Sequence, residues 1–169
     1  MTSAGHACGK VILLGEHAVV YGVPALAVGI DRGARATASP LPPGPSRLRV
    51  RGWNIAVRDN EDGHDLARAF RALLDCVRDD VPSLGPKDVE VEADLPPGGG
   101  LGCSAAMGVA IARAIDPAAS EDAVQERAMA WERVFHGNPS GVDAAVSARG
   151  GCAFFRKGCL LYTSPSPRD

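Results

Sequence analysis

The sequence predicts an α+β domain in which strand-type segments near the N-terminus precede most of the helical segments. Two apolar runs at residues 10–14 and 24–30 are typical of buried strands. Helical periodicity begins near residue 65, and one alternating segment at residues 89–94 interrupts it. This irregular order favours an α+β fold over a regular alternation of strands and crossover helices. With 169 residues, the chain can form one domain whose core needs no disulfide or metal.

The remaining N-terminal segments are predicted from turn residues and alternation. A polar segment at residues 15–22 connects the two apolar runs, and it carries ionisable residues where a simple hairpin would have turn residues. Residues 39–45 are rich in proline and predict a loop. Residues 47–58 alternate in polarity, which indicates two strands around a turn near Gly52.

Helices are predicted from apolar periodicity and from the residues that end it. Asp65 is expected to cap a first helix, which Pro82 and Pro86 follow. The alternation at residues 89–94 predicts a half-exposed strand. Residues 104–115 are apolar nearly all round, as in a buried helix.

The C-terminal part predicts two more helices and a strand. Ser120 is expected to cap a third helix whose inner face includes Trp131 and Phe135. A short helix at residues 141–148 and a strand at residues 152–155 complete the predicted elements.

Composition excludes several classes of function. The formal net charge is −2 and aromatic residues make up 5%, so neither electrostatics nor base stacking favours a nucleic acid or a membrane as partner. Five scattered cysteines form no CxxC pair, which favours reduced thiols and a cytoplasmic location. Residues 1–11 lack the pattern of a secretory signal, and no apolar run approaches the length of a membrane span.

A glycine-rich loop between a predicted strand and a predicted helix is the most informative segment. Its four glycines allow positive φ angles and close approach of the backbone to a ligand; they are Gly98, Gly99, Gly100 and Gly102. The helix N-terminus that follows favours a phosphate, and the Ser104 hydroxyl could reach that phosphate or its Mg²⁺. The segment is neither a Walker A loop nor a GxGxxG motif. The alternative, a flexible linker, is disfavoured because the loop runs directly into an apolar helix.

Three charged residues stand in positions that require explanation. Lys10 opens a buried strand, which indicates that its ammonium meets an anion. Glu132 lies at the margin of an apolar stripe and could be solvated or functional. Asp143 lies among small apolar residues, where an unpaired carboxylate is costly, so it is either paired structurally or catalytic. Ser140 is expected to cap the helix that carries Asp143. Together with the glycine loop, these residue types describe phosphoryl transfer.

Three stretches carry a resemblance to a known family: GKVILLGEHAVVYGVPALA, PPGGGLGCSAA and HGNPSGVDAAVS. They resemble mevalonate kinases, within the GHMP kinase superfamily, and the similarity covers residues 4–157. The resemblance implies an N-terminal domain like domain 2 of ribosomal protein S5, followed by a ferredoxin-like domain. It also implies ATP-dependent phosphorylation of the 5-hydroxyl of mevalonate in isoprenoid biosynthesis, and it leaves a homodimer of the full-length protein open.

The resemblance also implies roles for individual residues. Ser104 and Glu132 would hold Mg²⁺, and Asp143 would take the proton from the substrate hydroxyl or orient it. Glu16 and His17 would shape the site around the substrate, while His136 would either do the same or only fix its loop. The implied nucleotide-binding set is Lys10, Asn54, Gly98, Gly99, Gly100, Leu101, Gly102, Cys103 and Ser104.

The chain also departs from the family pattern. Cys8 stands where the family usually has proline, and Cys103 stands where many members have serine. Residues 1–158 are expected to form the ATP-binding domain, and residues 159–169 resemble a translated sequencing adapter, so we expect an artificial or disordered tail. We expect the C-terminal GHMP domain to be absent, which predicts exposed apolar surface and leaves the activity of this chain open.

Two other functions fit the same residues. One is a different GHMP kinase, acting on phosphomevalonate, homoserine or a sugar. The other is a non-catalytic fragment that binds a nucleotide without turnover, in which Asp143→Ala would change nothing measurable.

Overall fold

The computed structural model describes residues 1–157 and the backbone of residues 159–164, and this part of the chain forms one seven-stranded sheet with four α-helices. The strands are β1 (Ser3–Leu14), β2 (Ala25–Pro40), β3 (Arg47–Arg51), β4 (Ile55–Arg58), β5 (Lys87–Ala93), β6 (Cys152–Arg156) and β7 (Cys159–Ser164). The helices are α1 (Asp65–Asp80), α2 (Cys103–Ile115), α3 (Glu121–His136) and α4 (Val142–Arg149), with a 3₁₀ turn at Val19–Tyr21. The predicted α+β class is confirmed.

The long strand β2 organises the sheet. Its second half pairs with β5 and its first half with β6, while β1 runs antiparallel along its other side. The order is β4-β3-β5-β2-β6-β7, with β1 beside β2. Only β3 and β5 are parallel among the described pairs, with Arg51 opposite Glu92. Because parallel strands end at the same edge of a sheet, the turn after β3 and the glycine loop after β5 lie at one edge.

The two faces of the sheet differ in character. Val89 and Val91 of β5 are fully buried against the helices, whereas Glu90 between them forms ion pairs with arginines of β3 on the open face. The alternating apolar and acidic residues of β5 therefore lie on opposite faces of the sheet. Helix α2 packs on β1, β2 and β5, and 11 of its 13 residues are buried, in agreement with its predicted apolar surface.

One predicted helix cap is confirmed and two are corrected. Ser120 caps α3, because its hydroxyl accepts a hydrogen bond from the Ala123 N–H at 3.2 Å. His64 rather than Asp65 caps α1, since its Nδ1 accepts from the Leu66 N–H at 3.1 Å. The N-cap of α4 is Gly141 in a left-handed conformation, although the Ser140 hydroxyl accepts from the Val142 N–H at 3.4 Å.

β1 and β2 are longer than the strands that the apolar runs predicted. β1 begins at Ser3, and β2 continues to Pro40, into the segment that its prolines predicted to be a loop. The extension of β2 carries buried alanines in alternation with polar residues; they are Ala34, Ala36 and Ala38. Alanine gives little hydrophobic contrast, so the alternation is weak in sequence even though sheet partners on both sides hold the strand.

The C-terminal segment and the surface complete the description. Six residues of the segment expected to be artificial or disordered form β7, which pairs antiparallel with β6. Residues 165–169 of that expectation lie outside the described residues, as does residue 158 at the end of the expected ATP-binding domain. Within the described part, no helix is long and apolar enough to cross a membrane.

Five large apolar side chains between residues 13 and 23, here called the N-terminal apolar segment, are exposed: Leu13, Leu14, Val20, Tyr21 and Val23.

Candidate functional site

The glycine loop joins β5 to the N-terminus of α2. Gly98, Gly100 and Gly102 have φ angles of +72°, +71° and +73°, which L side chains rarely adopt. Gly102 is the N-cap of α2 and no side chain caps the helix, so the positive end of the helix faces the loop without a side-chain cap. This geometry suits a bound phosphate, as the sequence predicted.

Lys10 is held against the glycine loop by its backbone and its side chain. Its N–H donates to the Leu101 carbonyl at 2.9 Å, and its Nζ donates to the Gly100 carbonyl at 3.2 Å. A Cβ on Gly102 would lie 2.9 Å from the Lys10 Cγ, so the loop needs glycine there to pass the lysine stem. Only 3% of Lys10 is exposed, and the predicted anionic partner is present on α4.

That partner is Asp143, in the first turn of α4. Its Oδ1 lies 3.1 Å from the Lys10 Nζ, and 34% of its side chain is exposed. This ion pair explains how the Asp143 carboxylate is tolerated among small apolar residues, because the Lys10 ammonium compensates its charge. It also leaves one face of the carboxylate open to a ligand beside the glycine loop.

Glu132 is buried rather than solvated, with 3% of its surface exposed. The Ser104 hydroxyl forms a short hydrogen bond with its Oε1, which joins α3 to the first turn of α2. Burial raises the pKa of the Glu132 carboxyl, and the negative charge of Asp143 acts in the same direction. The Ser104 hydrogen bond and the nearby His136 and Lys10 lower it in part.

Two further side chains complete this cluster. The His136 Nε2 lies 3.6 Å from the Glu132 Oε2, one helical turn away on α3. The Trp131 indole Nε1 donates to the Ser104 Oγ at 3.2 Å. Sequence reasoning assigned Trp131 only to the core, and periodicity could not show that its polar edge reaches α2.

The oxygen donors of Ser104 and Glu132 fit a magnesium ion held jointly with phosphate. Mg²⁺ prefers oxygen ligands, keeps several waters and is usually bound by one or two protein groups plus substrate phosphates. Among the described residues, no group of three or more His, Cys, Asp or Glu could hold a metal by itself. A buried carboxylate with a raised pKa is also a group whose charge a divalent cation would stabilise.

Other predicted site residues lie outside this cluster. Glu16 and His17 are exposed in the turn after β1, and in the described part of the chain neither side chain has a hydrogen bond or ion pair. Asn54 has a φ of +53° in the β3–β4 turn, at the same sheet edge as the glycine loop. Cys103 is buried, with its Sγ 3.6 Å from the Leu95 carbonyl. Its thiol is therefore shielded, and only its backbone is available to the glycine loop.

Comparison with known proteins identifies the family. Residues 65–151, about half of the chain, match the GHMP kinases N terminal domain. A mevalonate kinase of Methanothermobacter thermautotrophicus is 34% identical over 91% of this chain and 50% of its own length. A mevalonate kinase of Aeropyrum pernix is 33% identical over 89% of this chain and 49% of its own. The chain therefore spans about half the length of the curated relatives it matches.

Solved structures share the fold at lower identity. The mevalonate kinase of Methanococcus jannaschii aligns with a TM-score of 0.78 at 20% identity, over 98% of this chain and 56% of that protein. A phosphomevalonate kinase of Streptococcus pneumoniae aligns with a TM-score of 0.76 at 18% identity, over 93% of this chain and 50% of that protein. At these identities the likeness shows the fold alone.

Proposed function

Because the chain belongs to the GHMP kinases, we propose that it is the ATP-binding part of a kinase that phosphorylates the 5-hydroxyl of mevalonate. The names of the curated relatives support mevalonate as the acceptor. The observation that carries the proposal is the Lys10–Asp143 pair, whose ammonium also contacts the glycine loop at Gly100. A cation and a carboxylate beside a phosphate-type loop are the groups that phosphoryl transfer to an alcohol requires.

In this proposal, ATP lies along the glycine loop. The backbone of Gly98–Ser104 and the N-terminus of α2 bind its phosphates, and Asn54 contacts the nucleotide from the same sheet edge. Ser104 and Glu132 hold Mg²⁺, which when bound offsets the negative charge of the phosphates. Glu16 and His17 face the substrate beyond the end of β1.

Asp143 and Lys10 have separate roles at the acceptor oxygen. As that oxygen bonds to the γ-phosphorus, the bond from the γ-phosphorus to the bridging oxygen of ADP breaks. The hydroxyl proton passes to Asp143, or it passes to an oxygen of the transferring phosphoryl group while Asp143 orients the hydroxyl. Lys10 stabilises the negative charge on the transferring group from a buried, fixed position. Because Lys10 is already held by Gly100 and Asp143, little reorganisation is needed.

The domain arrangement is part of the proposal. Residues 1–158 would form the N-terminal domain, and a C-terminal domain would complete the site, since the relatives are about twice as long as the matched region. Residues 159–169 remain a proposed artificial tail. We further propose a cytoplasmic protein and a homodimer of the full-length form.

The first experiment measures ADP and phosphorylated product from the chain with ATP, Mg²⁺ and mevalonate. Asp143→Asn is expected to lower turnover by about 10²–10⁴-fold, the usual contribution of a general base. Asp62→Asn, at a carboxylate with 81% of its side chain exposed, is the matched control and is expected to retain turnover. Nucleotide binding without phosphorylation of any alcohol, with no effect of Asp143→Ala, would instead establish the non-catalytic fragment.

A second candidate is a GHMP kinase with another acceptor. The fold likeness to a phosphomevalonate kinase favours including it, because the same fold serves a phosphorylated substrate there. A panel of mevalonate, phosphomevalonate, homoserine and galactose discriminates between them. A specificity constant for one of the other three that exceeds the value for mevalonate would replace the acceptor in the proposal.

A further inference from the structure

The hydrogen bonds around Ser104 assign a direction to its hydroxyl. The Trp131 indole Nε1 is a donor only, so the Ser104 Oγ must accept at the 3.2 Å contact. An ionised Glu132 carboxylate is an acceptor only, so the Ser104 proton must point to its Oε1. A hydroxyl oxygen has two lone pairs, and the indole uses one of them. One lone pair of Ser104 therefore remains for a cation.

Helix packing supports this arrangement. Trp131 is fully buried, and its ring packs at a tilt against Phe135 with centroids 5.5 Å apart. On α2, one turn after Ser104, a Cβ at Gly108 would lie 2.9 Å from the Trp131 Cδ1. Cδ1 is bonded to Nε1, so the absence of a side chain at Gly108 lets the polar edge of the indole lie against α2. A glycine inside a helix is less favourable than an alanine, and close packing of the indole explains the glycine here.

We propose that Trp131 is a positioning residue for the magnesium site: its N–H fixes the Ser104 hydroxyl so that the proton faces Glu132 and the free lone pair faces the metal. The inference rests on the proposed function, because Ser104 and Glu132 are the proposed metal ligands. Without the indole donor, the hydroxyl can rotate, and metal binding must then restore its orientation. Trp131 thus acts through Ser104 and touches neither ATP nor mevalonate.

The test compares how strongly Mg²⁺ improves binding of a non-hydrolysable ATP analogue. Isothermal titration of AMPPNP, with Mg²⁺ and with a chelator, gives the ratio of the two dissociation constants. Trp131→Phe keeps a buried ring without the N–H, and we expect it to reduce this ratio about three- to tenfold, which corresponds to one hydrogen bond. Affinity without metal is expected to stay the same. Phe135→Leu, which alters the neighbouring ring but not the donor, is the matched control and should keep the wild-type ratio.

A double-mutant cycle separates this effect from general damage to the core. Once Ser104→Ala has removed the acceptor, Trp131→Phe is expected to cause no further change in the ratio. An equal ratio in wild type and Trp131→Phe would overturn the inference and leave the proposed function intact. A wild-type chain that binds AMPPNP equally with and without Mg²⁺ would overturn the magnesium site and the inference together.

A second measurement keeps the inference testable if Trp131→Phe does not fold. The chain has two tryptophans, so nitrogen-15 NMR shows two indole N–H signals, which Trp53→Phe assigns. In Ser104→Ala, the Trp131 indole signal is expected to shift upfield and to exchange faster with solvent. An unchanged indole signal would show that the donor does not engage Ser104 and would overturn the inference.

Discussion

At the scale of single residues, the site consists of charges that are buried and compensated. Lys10 gains Asp143 and the Gly100 carbonyl, so its ammonium is not left unpaired in the interior. Glu132 is compensated less completely: one oxygen meets Ser104, while the other lies 3.6 Å from His136. The carboxylate with the weaker compensation is the one that the proposed function assigns to the metal.

The burial of Glu132 predicts a pH-dependent cost in stability. Its folded-state pKa is raised above 4.5, so the folded chain binds more protons than the unfolded chain between 4.5 and that raised value. Stability from this group is therefore lost as pH rises through the window. Without added metal, Glu132→Gln is expected to raise the melting temperature near pH 7 and to make little difference near pH 4.

Thermal unfolding of the wild type and of Glu132→Gln across that pH range measures the difference in melting temperature. Glu61→Gln, at an exposed carboxylate, is the control and is expected to show no such pH-dependent difference. A Glu132→Gln variant that is less stable than wild type at pH 7 would mean that the Ser104 hydrogen bond outweighs the cost of burial.

At the scale of elements, the glycine loop joins three parts of the fold. It follows β5, holds the Lys10 side chain of β1 and begins α2. Its conformation depends on positive φ angles, and a Cβ at Gly100 would meet nothing within 4 Å. No neighbouring protein atom would exclude a side chain at Gly100. Glycine is therefore required there by the positive φ angle and by the close approach of the ligand to the backbone.

Gly100→Ala is expected to weaken ATP binding about tenfold, equivalent to roughly 1.4 kcal/mol. The alanine relaxes out of the left-handed region, and binding must restore it. Gly22→Ala is the matched control, because Gly22 also has a positive φ with open space around it but lies outside the loop. Isothermal titration measures both affinities. Equal losses of ATP affinity in the two variants would contradict a specific role for the loop.

At the scale of the whole molecule, an uneven distribution of apolar surface predicts self-association. The N-terminal apolar segment includes Leu14 and Tyr21, whose exposures are 68% and 86%. Exposed apolar side chains favour association, because association removes them from water. Sedimentation velocity of the chain is therefore expected to show concentration-dependent association.

A Leu14→Ser, Tyr21→Ser double variant is expected to reduce that association and to change stability by no more than about 1 kcal/mol, since both side chains are exposed. Phe154→Ser removes an exposed aromatic side chain outside the segment and is the control. Association that is the same in all three proteins would show that the segment does not drive it.

Sequence alone determined the α+β class, most of the elements and the position of the glycine loop before a buried helix. These features depend on periodicity, turn residues and caps, which act over a few residues along the chain. Where the local signal was weak, as in the alanine-rich half of β2, or where two neighbouring residues could cap a helix, as at His64 and Asp65, prediction missed the boundary or the cap.

Only the tertiary structure decided which side chains meet. Lys10 reaches a carbonyl 90 positions away, and Ser104 reaches Glu132 across 28 positions. Those contacts depend on the register of β1 with β2 and on how closely α3 approaches α2, which Gly108 permits. Burial of Glu132 and the donor role of Trp131 follow from that packing, because the environment of a side chain is set by elements that are distant in sequence.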